Sequence, residues 1–295
     1  MAKMKKEVSM KRNRLIGDVL SYITLIIISI IWLFPFVCLL LQSFRSYDPK
    51  VEYGGMTNYL IPKVFSLDNY KFLLDPEQSQ FTKWYGNTVF IAFCICVLQT
   101  IIVLCVSYAL SRMRFKGREL LMRFMLILGM FPGFLSMICL YFLLKSVGLT
   151  QTGAIPGIIL VSVASSGMGY YVCKGYFDTI PKSLDEAARI DGASRAQIFI
   201  QMIIPMAKPI IIYQMLTAFM APWCDYVFAS YISFGNSDTY NVAVAMYRWM
   251  NVADYQGYFT RFCAGGILIA VPVTILFMCL QKYYVEGVTG GAVKG

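Results

Sequence analysis

Histidine is absent from the 295 residues of this chain. A histidine general base, a Ser-His triad and a histidine-ligated metal site are therefore excluded. The sequence also has no G-x-x-x-x-G-K-[ST] segment, so the chain has no P-loop with which to bind ATP. Any process here that uses ATP needs a partner that supplies the nucleotide site.

Charged residues are scarce. They make up 14% of the chain, while hydrophobic residues make up 58% and the mean hydropathy is +0.62. Soluble domains have roughly 25% charged and 45–50% apolar residues, so the composition indicates a membrane protein that crosses the bilayer several times. The net charge of +10 does not indicate nucleic-acid binding, because the Lys and Arg residues lie in short stretches between apolar runs.

The cysteines do not form a recognisable motif. None of the nine has C-x-x-C spacing, and all lie inside apolar stretches. Cysteine in such surroundings behaves as a small hydrophobic residue. We therefore expect reduced packing residues, with no disulfide framework and no metal site.

Long uncharged runs dominate the chain. A bilayer core of about 30 Å needs about 20 apolar residues in a helix. Runs without Asp, Glu, Lys or Arg cover 19–44, 84–111, 124–144, 146–173 and 262–281, and a sixth, 209–233, is interrupted only by Asp225. The sequence therefore predicts an all-α polytopic membrane protein with six transmembrane helices.

The distribution of Lys and Arg predicts the orientation. With the N-terminus inside, the cytoplasmic stretches hold 18 of these residues and the external stretches hold 8. The positive-inside rule then places both termini in the cytoplasm. The first apolar run is too long for a signal-peptide core, so we interpret it as a retained helix. The predicted organisation is a cytoplasmic N-terminus (1–14), a first transmembrane helix (15–44), an external loop (45–83), a five-helix domain (84–284) and a cytoplasmic tail (285–295).

The cytoplasmic stretch 180–208 carries the most local signals. Ser183 followed by Glu186, and Ser194 followed by Gln197, have the spacing of capping boxes. Gly192 stands where a left-handed residue would end a helix, and Pro205 and Pro209 are expected to end the helix that follows. The stretch therefore predicts a helix, a sharp turn and a second helix.

The first of these helices needs a surface to pack against. About eight residues are too few to form a stable isolated helix in water. Leu184, Ala187 and Ala188 are expected on one face, and Asp185 and Arg189 as an i,i+4 pair on another. Two interpretations stay open on these grounds: insertion into the groove of a partner, or packing on the membrane surface or on the chain's own bundle.

The same stretch resembles the EAA loop of ABC importer permeases. The matching residues are Glu186-Ala187-Ala188, Gly192 and Ile203-Ile204-Pro205. Tyr108 to Gly117, Met130-Phe131-Pro132 and the closing Gly290 to Gly295 extend the likeness to the smaller six-helix permease of maltose and maltodextrin importers. The resemblance implies that fold, a bacterial cell membrane location, and transport of a carbohydrate of the maltose or maltodextrin type.

The resemblance also implies partners and residue roles. The partners would be a second permease subunit, two copies of a cytoplasmic ATPase that bind ATP and Mg²⁺, and an extracytoplasmic sugar-binding protein. This chain would hold no cofactor and would not be an enzyme. The residues implied are Ser183, Glu186, Ala187, Ala188, Gly192 and Pro205 for ATPase coupling, Gly290, Gly291, Lys294 and Gly295 for a second ATPase contact, and Asn251, Asp254 and Tyr255 for the binding protein.

Asp225 is the one ionisable residue within a predicted span. A charge at a helix centre costs about 2.5–3.5 kcal/mol on insertion scales, so it should face a polar interior. It lies with Trp223 and Tyr226, which are further candidates for the transport pathway, in a segment where related permeases often have W-N-[DE]-[FY], although Cys224 departs from that pattern. A place in the transport pathway and a structural hydrogen bond are both open for Asp225.

Two other classes of function compete with an importer. A secondary transporter would usually need ion or proton sites near the bilayer centre, for which Asp225 is the single candidate. A membrane-embedded enzyme would need catalytic groups, and the spans contain neither histidine nor clustered carboxylates.

Overall fold

The computed structural model describes residues 2–46, 60–130, 133–250 and 255–289. These residues are almost entirely helical, and the β-pairing found among them is an isolated bridge between Arg45 and Phe65. The predicted all-α class is confirmed.

The chain forms helices of very different lengths. The four longest are α1 (Ala2–Ser43), α3 (Phe81–Arg112), α11 (Lys208–Cys224) and α14 (Tyr255–Thr289). The others are α2 (Asp68–Leu74), α4 (Arg118–Gly129), α5 (Gly133–Ser146), α6 (Ala154–Ala164), α7 (Gly167–Thr179), α8 (Lys182–Ile190), α9 (Arg195–Gln197), α10 (Ile204–Met206), α12 (Val227–Ser233) and α13 (Val242–Met250). A π-helical turn, Ile198–Ile203, joins α9 to α10.

Three stretches of helix are long and apolar enough to cross a membrane, namely Leu15–Ser43, Phe81–Arg112 and Phe259–Lys282. Two helix pairs qualify only when each is counted as one bent span: Ser136–Ser146 with Gln151–Ala164, bent by 102°, and Arg195–Met206 with Lys208–Cys224, bent by 81°. The described residues therefore supply three to five candidate spans by length and composition. The six-span count and the cytoplasmic termini stay predictions.

The uncharged run 146–173 shows why helix boundaries differ from charge boundaries. Helix α6 ends at Ala164 and α7 begins at Gly167, so two serines interrupt the run. The Ser166 hydroxyl donates to the carbonyl of Val163 at 2.7 Å. Serine competes in this way for backbone groups and therefore favours helix ends.

The chain divides into two compact units. One comprises Met1–Phe72 and Ala253–Ile267, and the other comprises Leu73–Val252 and Leu268–Gly295. In the first unit, the Asn69 amide donates to the carbonyls of Ser43 at 3.1 Å and Arg45 at 2.8 Å. Its amide oxygen accepts a hydrogen bond from Thr260 at 3.0 Å.

Helix α3 is the centre of the second unit, where it packs against α6, α7 and α11. Ile91, Ile95 and Val103 lie on its buried side. Gly169 on α7 allows a close approach, because a Cβ there would lie 3.2 Å from Gln214 Oε1 and 3.4 Å from a Val103 methyl group. The helices of 182–206, described next, continue from this packing.

Candidate functional site

Helix α8 is the first helix of the predicted helix-turn-helix, and it begins earlier than expected. It starts at Lys182 with Pro181 as its N-cap, and no side chain caps it. Ser183 therefore lies within the first turn, and the predicted capping box of Ser183 and Glu186 is wrong. Proline fixes φ and lacks an N–H, so it suits the residue where a chain enters a helix.

The turn after α8 follows the prediction. Gly192 has φ +86°, a conformation that residues with a Cβ rarely adopt. The amide of Gly192 donates to Arg189 O at 3.0 Å, and that of Ala193 donates to Ala188 O at 2.9 Å. These two bonds form a Schellman motif, which satisfies carbonyls that the helix end would leave unpaired.

The second helix begins at the predicted capping box. The Ser194 hydroxyl accepts from Gln197 N at 3.3 Å, and the Gln197 side chain accepts from Ser194 N at 2.8 Å. Both ends of the turn are therefore fixed by local hydrogen bonds, and the helix-turn-helix prediction is confirmed.

Pro205 and Pro209 flank the end of this second helix at Met206, as predicted. Pro205 lies inside α10, and the helix bends at Ala207, whose backbone is outside the regular helix. Pro209 lies in the first turn of α11, where its missing N–H leaves no hydrogen bond unmade. In the π-helical turn before Pro205, backbone hydrogen bonds join residues five apart. Proline has no N–H to donate, so a carbonyl in the preceding turn is left without its usual helical partner.

Helix α8 has one face against its own bundle and another open. Ala188 belongs to the buried core, Leu184 packs against that core, and Asp185 is buried. Ser183, Glu186, Ala187 and Ile190 are exposed, and Ile190 is 87% exposed. The expectation that Leu184, Ala187 and Ala188 share one face is wrong for Ala187, which is exposed while Ala188 is buried. Packing on the chain's own bundle is therefore confirmed for one face, and insertion of the open face into a partner stays a prediction.

A buried ion pair holds α8 to the end of α3. Asp185 Oδ2 lies 3.0 Å from Arg112 Nε, and the two side chains are 7% and 2% exposed. Arg112 Nη2 also donates to the carbonyl of Ile180 at 2.8 Å. The expected pair of Asp185 with Arg189 is wrong, since Asp185 turns inward and its other oxygen has no hydrogen-bond partner. The signal available in the sequence for this pair was a basic residue at the end of α3 and an acidic residue in the first turn of α8.

A second polar contact ties α7 to α3 near the same end. Asp178 accepts a hydrogen bond from Ser111 at 2.6 Å and pairs with Lys174. Burial acts to raise the pKa of Asp178, but the hydrogen bonds from Lys174 and Ser111 outweigh it and hold this pKa below its ordinary value. The carboxylate is thus kept charged.

The three pathway candidates lie where α11 ends. Asp225 follows its last residue, and its carboxylate accepts from Phe228 N at 3.2 Å at the start of α12. Trp223 is 4% exposed and packs edge-on against Tyr85, with ring centroids 5.3 Å apart. Tyr226 lies against Tyr247 at 3.9 Å between centroids. Asp225 therefore lies at a break between helices, where its carboxylate caps the next helix.

A cavity of about 270 Å³ with a mixed polar and apolar lining lies elsewhere in the second unit, and the sequence did not predict it. It adjoins the break between α6 and α7, and its polar lining comes from Gln99, Ser165, Ser166, Tyr213, Gln214 and Thr217. All are uncharged. Uncharged polar residues within apolar runs were the available signal, because such residues in a membrane need partners or a water-filled cavity.

Two predicted sites fall largely outside the described residues. These are Gly290 to Gly295, of the proposed tail, and Asn251 and Asp254, of the external loop; Phe131 and Pro132 are also outside. Tyr255 is the first residue of α14. Among the residues that the structure describes, no group of three or more His, Cys, Asp or Glu is placed to hold a metal ion.

Several apolar helices that are long enough to span a bilayer define a multi-pass membrane protein. Residues 101–290 match the family model described as binding-protein-dependent transport system inner membrane component. The chain belongs to this family, and the resemblance seen in the sequence is confirmed. It is therefore a component of a transport system in the cell membrane, and the family is not one of enzymes.

Relatives resemble the chain over nearly its whole length. It is 34% identical to the maltodextrin transport system permease protein MdxG of Bacillus subtilis (strain 168), covering 96% of this chain and 98% of that protein. It is 35% identical to the galactooligosaccharides transport system permease protein GanQ of the same organism, covering 97% and 99%. Identity to the maltose/maltodextrin transport system permease protein MalG of Escherichia coli (strain K12) is 32%, covering 81% and 85%.

A solved structure has the same fold. The chain superposes with a TM-score of 0.75 on a crystal structure of a bacterial ABC transporter involved in the import of the acidic polysaccharide alginate. That match covers 91% of this chain and 96% of the other, at 24% identity. The ABC importer permease fold is confirmed.

Proposed function

We propose that this chain is a membrane-spanning permease subunit of an ATP-driven importer for an oligosaccharide of the maltodextrin type. The observation that carries the proposal is its likeness to MdxG of Bacillus subtilis over 96% of this chain. The cavity beside Ser165 and Ser166 supports it, because its lining is uncharged and includes hydroxyl and amide groups. A neutral sugar is recognised by hydrogen bonds without an opposite charge.

The open face of α8 is the proposed contact with a cytoplasmic ATPase. A rigid helix that exposes the small residues Ser183 and Ala187 beside Ile190 suits insertion into a groove. Glu186 adds a charge at the edge of this face, and Gly192 allows the following helix to fold back. Two ATPase copies would bind ATP and Mg²⁺, since this sequence has no P-loop of its own.

The buried pair of Arg112 and Asp185 is the proposed mechanical link. It joins α8 to the end of α3, the helix at the centre of the second unit. A movement of the ATPase that displaces α8 would therefore be passed to α3 through this pair. The expected result is alternating access, in which ATP binding opens the pathway toward the binding protein.

The cavity beside Ser165 and Ser166 is the proposed contribution of this chain to the sugar pathway. Transporter sites often lie near the bilayer centre where helices are interrupted. Gln99, close to the middle of the predicted second span, and Gln214 on α11 both line this cavity. A second permease subunit would complete the pathway, and an extracytoplasmic binding protein would deliver the sugar. The external loop with Asn251, Asp254 and Tyr255 is the proposed contact for that protein, and the tail from Gly290 is a further proposed ATPase contact.

The direct test is uptake by the reconstituted complex. The chain is purified with the proteins encoded beside it, placed in proteoliposomes with the binding protein, and supplied with radiolabelled maltodextrin. Uptake that requires both ATP and the binding protein is expected. Uptake driven by an ion gradient without ATP would identify a secondary transporter and contradict the proposal.

A galacto-oligosaccharide is the alternative substrate, because the chain is 35% identical to GanQ of Bacillus subtilis. Competition separates the two. Unlabelled maltodextrin is expected to displace the labelled sugar from the binding protein and to suppress uptake. Displacement by galacto-oligosaccharide alone would assign the importer to that sugar.

A further inference from the structure

A basic pocket of about 390 Å³ lies beside α8 in the second unit. Six cationic and two acidic side chains line it, together with Ser111 and Met113: Arg112, Arg114, Arg118, Lys182, Arg189 and Arg195, and Asp185 and Glu186. These residues come from the end of α3, the start of α4, α8 and the start of α9. The excess of positive charge favours an anion.

Buried groups make this pocket a built feature. Arg112 and Asp185 line it with side chains only 2% and 7% exposed, and Arg112 Nη1 has no hydrogen-bond partner. Asp185 neutralises the charge of Arg112. The Arg118 side chain donates a hydrogen bond to Met113 O at 3.5 Å. Arg114, Lys182 and Arg195 remain exposed at the opening.

The position of the pocket relates it to the membrane surface. Ser111 is the last residue of the predicted second span, and Arg112 and Arg114 follow it directly. Their side is the one predicted to be cytoplasmic. Basic pockets between membrane helices on this side bind the headgroups of anionic lipids.

An apolar surface continues from the pocket along α4. No residue of α4 is buried. Three apolar side chains follow Arg118 at helical spacing (i, i+3 and i+7), starting one turn after it: Leu121, Phe124 and Leu128. Each is more than 40% exposed. A phosphate in the pocket and an acyl chain on α4 would thus engage one continuous surface. An acidic peptide would use the charges but leave this apolar surface uncovered.

We propose that this pocket binds the phosphate headgroup of an anionic phospholipid of the cytoplasmic leaflet, with its acyl chain along α4. The occupant would touch α8 through Lys182 and Arg189, on a face beside the open one. Lipid would therefore help to fix the helix that docks the ATPase, so this regulation rests on the proposed function. Lipid binding itself needs neither sugar nor ATP.

Native mass spectrometry of the assembled complex tests the proposal. The complex is exchanged into nanodiscs of mixed phosphatidylglycerol and phosphatidylcholine, extracted in mild detergent, and the retained lipid is identified. Phosphatidylglycerol is expected to be retained over phosphatidylcholine. The double variant Arg118→Gln/Arg195→Gln should weaken this retention about thirtyfold, since each basic residue near an anionic surface contributes about 1 kcal/mol.

Lys116→Gln is the matched control. Lys116 is an exposed basic residue in the loop between α3 and α4, close to Arg118 in sequence, but it does not line the pocket. It should retain lipid as the unaltered complex does. Should the double variant fail to assemble, Arg195→Gln alone carries the test, with an expected loss of about fivefold.

Three results would overturn the proposal. They are undiminished phosphatidylglycerol on the arginine variants, equal retention of phosphatidylcholine, and complete displacement of the lipid by glycerol phosphate, which would make the ligand a small soluble anion. Each can arise whether or not the complex transports maltodextrin, so failure of the lipid site and failure of the proposed function are distinguishable.

Discussion

Removal of the Asp185 carboxylate is expected to release α8 from the bundle. The side chain of Arg112 is 2% exposed, so Asp185→Ala would leave this arginine buried without its counter-ion. Breaking a buried pair on one side destabilises a structure by about 3–5 kcal/mol. Helix α8 has only nine residues, too few to form a stable isolated helix, so the loss should be concentrated there.

Hydrogen-exchange mass spectrometry of the purified chain measures this effect. If the variant destabilises α8 by about 3 kcal/mol, amides of the α8 peptide should exchange about a hundredfold faster. Peptides from the middle of α3 should change little. Asp191→Ala is the matched control, because Asp191 is an exposed carboxylate at the other end of α8. Replacement of both partners, Arg112→Met/Asp185→Leu, should recover most of the protection. Unchanged exchange in Asp185→Ala would refute the reasoning.

Four further predictions concern neighbouring features. Gly192→Val should reduce co-purification of the ATPase while Gly192→Asn is tolerated, because asparagine adopts the left-handed conformation more readily; equal recovery with both variants would contradict the docking assignment. In a cysteine-free background, Ser194→Cys should react with an impermeant maleimide only from the cytoplasm and Asn236→Cys only from outside; labelling from one face would mean that the intervening helices do not cross. Asp225→Asn should preserve assembly, since asparagine also caps helices, and should lower sugar uptake if the charge lines the pathway, whereas Asp225→Ala should cost about 1 kcal/mol of stability. Because the pKa of Asp178 is lowered on folding, its stabilisation is present above the ordinary carboxyl pKa of about 4 and is lost as the pH falls; thermal melts should show a weaker acid dependence for Asp178→Asn, and identical curves would contradict this.

The parts of the site that the sequence predicted depend on neighbouring residues. Ser194 and Gln197 cap the second helix because the required atoms lie three residues apart. Gly192 ends α8 because a left-handed residue is needed at that one position. Both features are determined within a few residues, so their chemistry can be read locally.

The parts that the sequence missed depend on tertiary packing. Asp185 has a basic residue four positions along its own helix, yet burial against α3 pairs it with Arg112 instead. The serines at 165 and 166 interrupt a run that hydropathy alone treats as continuous. A cavity lined from α3, α7 and α11 is set by how the helices approach, as at Gly169, and no local spacing specifies it.

The π-helical turn Ile198–Ile203 allows this region to absorb a change in chain length. A π turn accommodates one residue more than an α turn, so deleting one residue there would leave a regular helix. The helix before the deletion would keep nearly the same rotation relative to α11, because the π turn already contains the extra residue that would turn a regular α-helix by about 100°. Apolar content and total hydropathy would hardly change. Deletion of one residue in 198–203 should therefore preserve membrane insertion and leave Glu186 and its neighbours facing the same way, whereas the same deletion within α11 would turn the residues before it by about 100° relative to those after it.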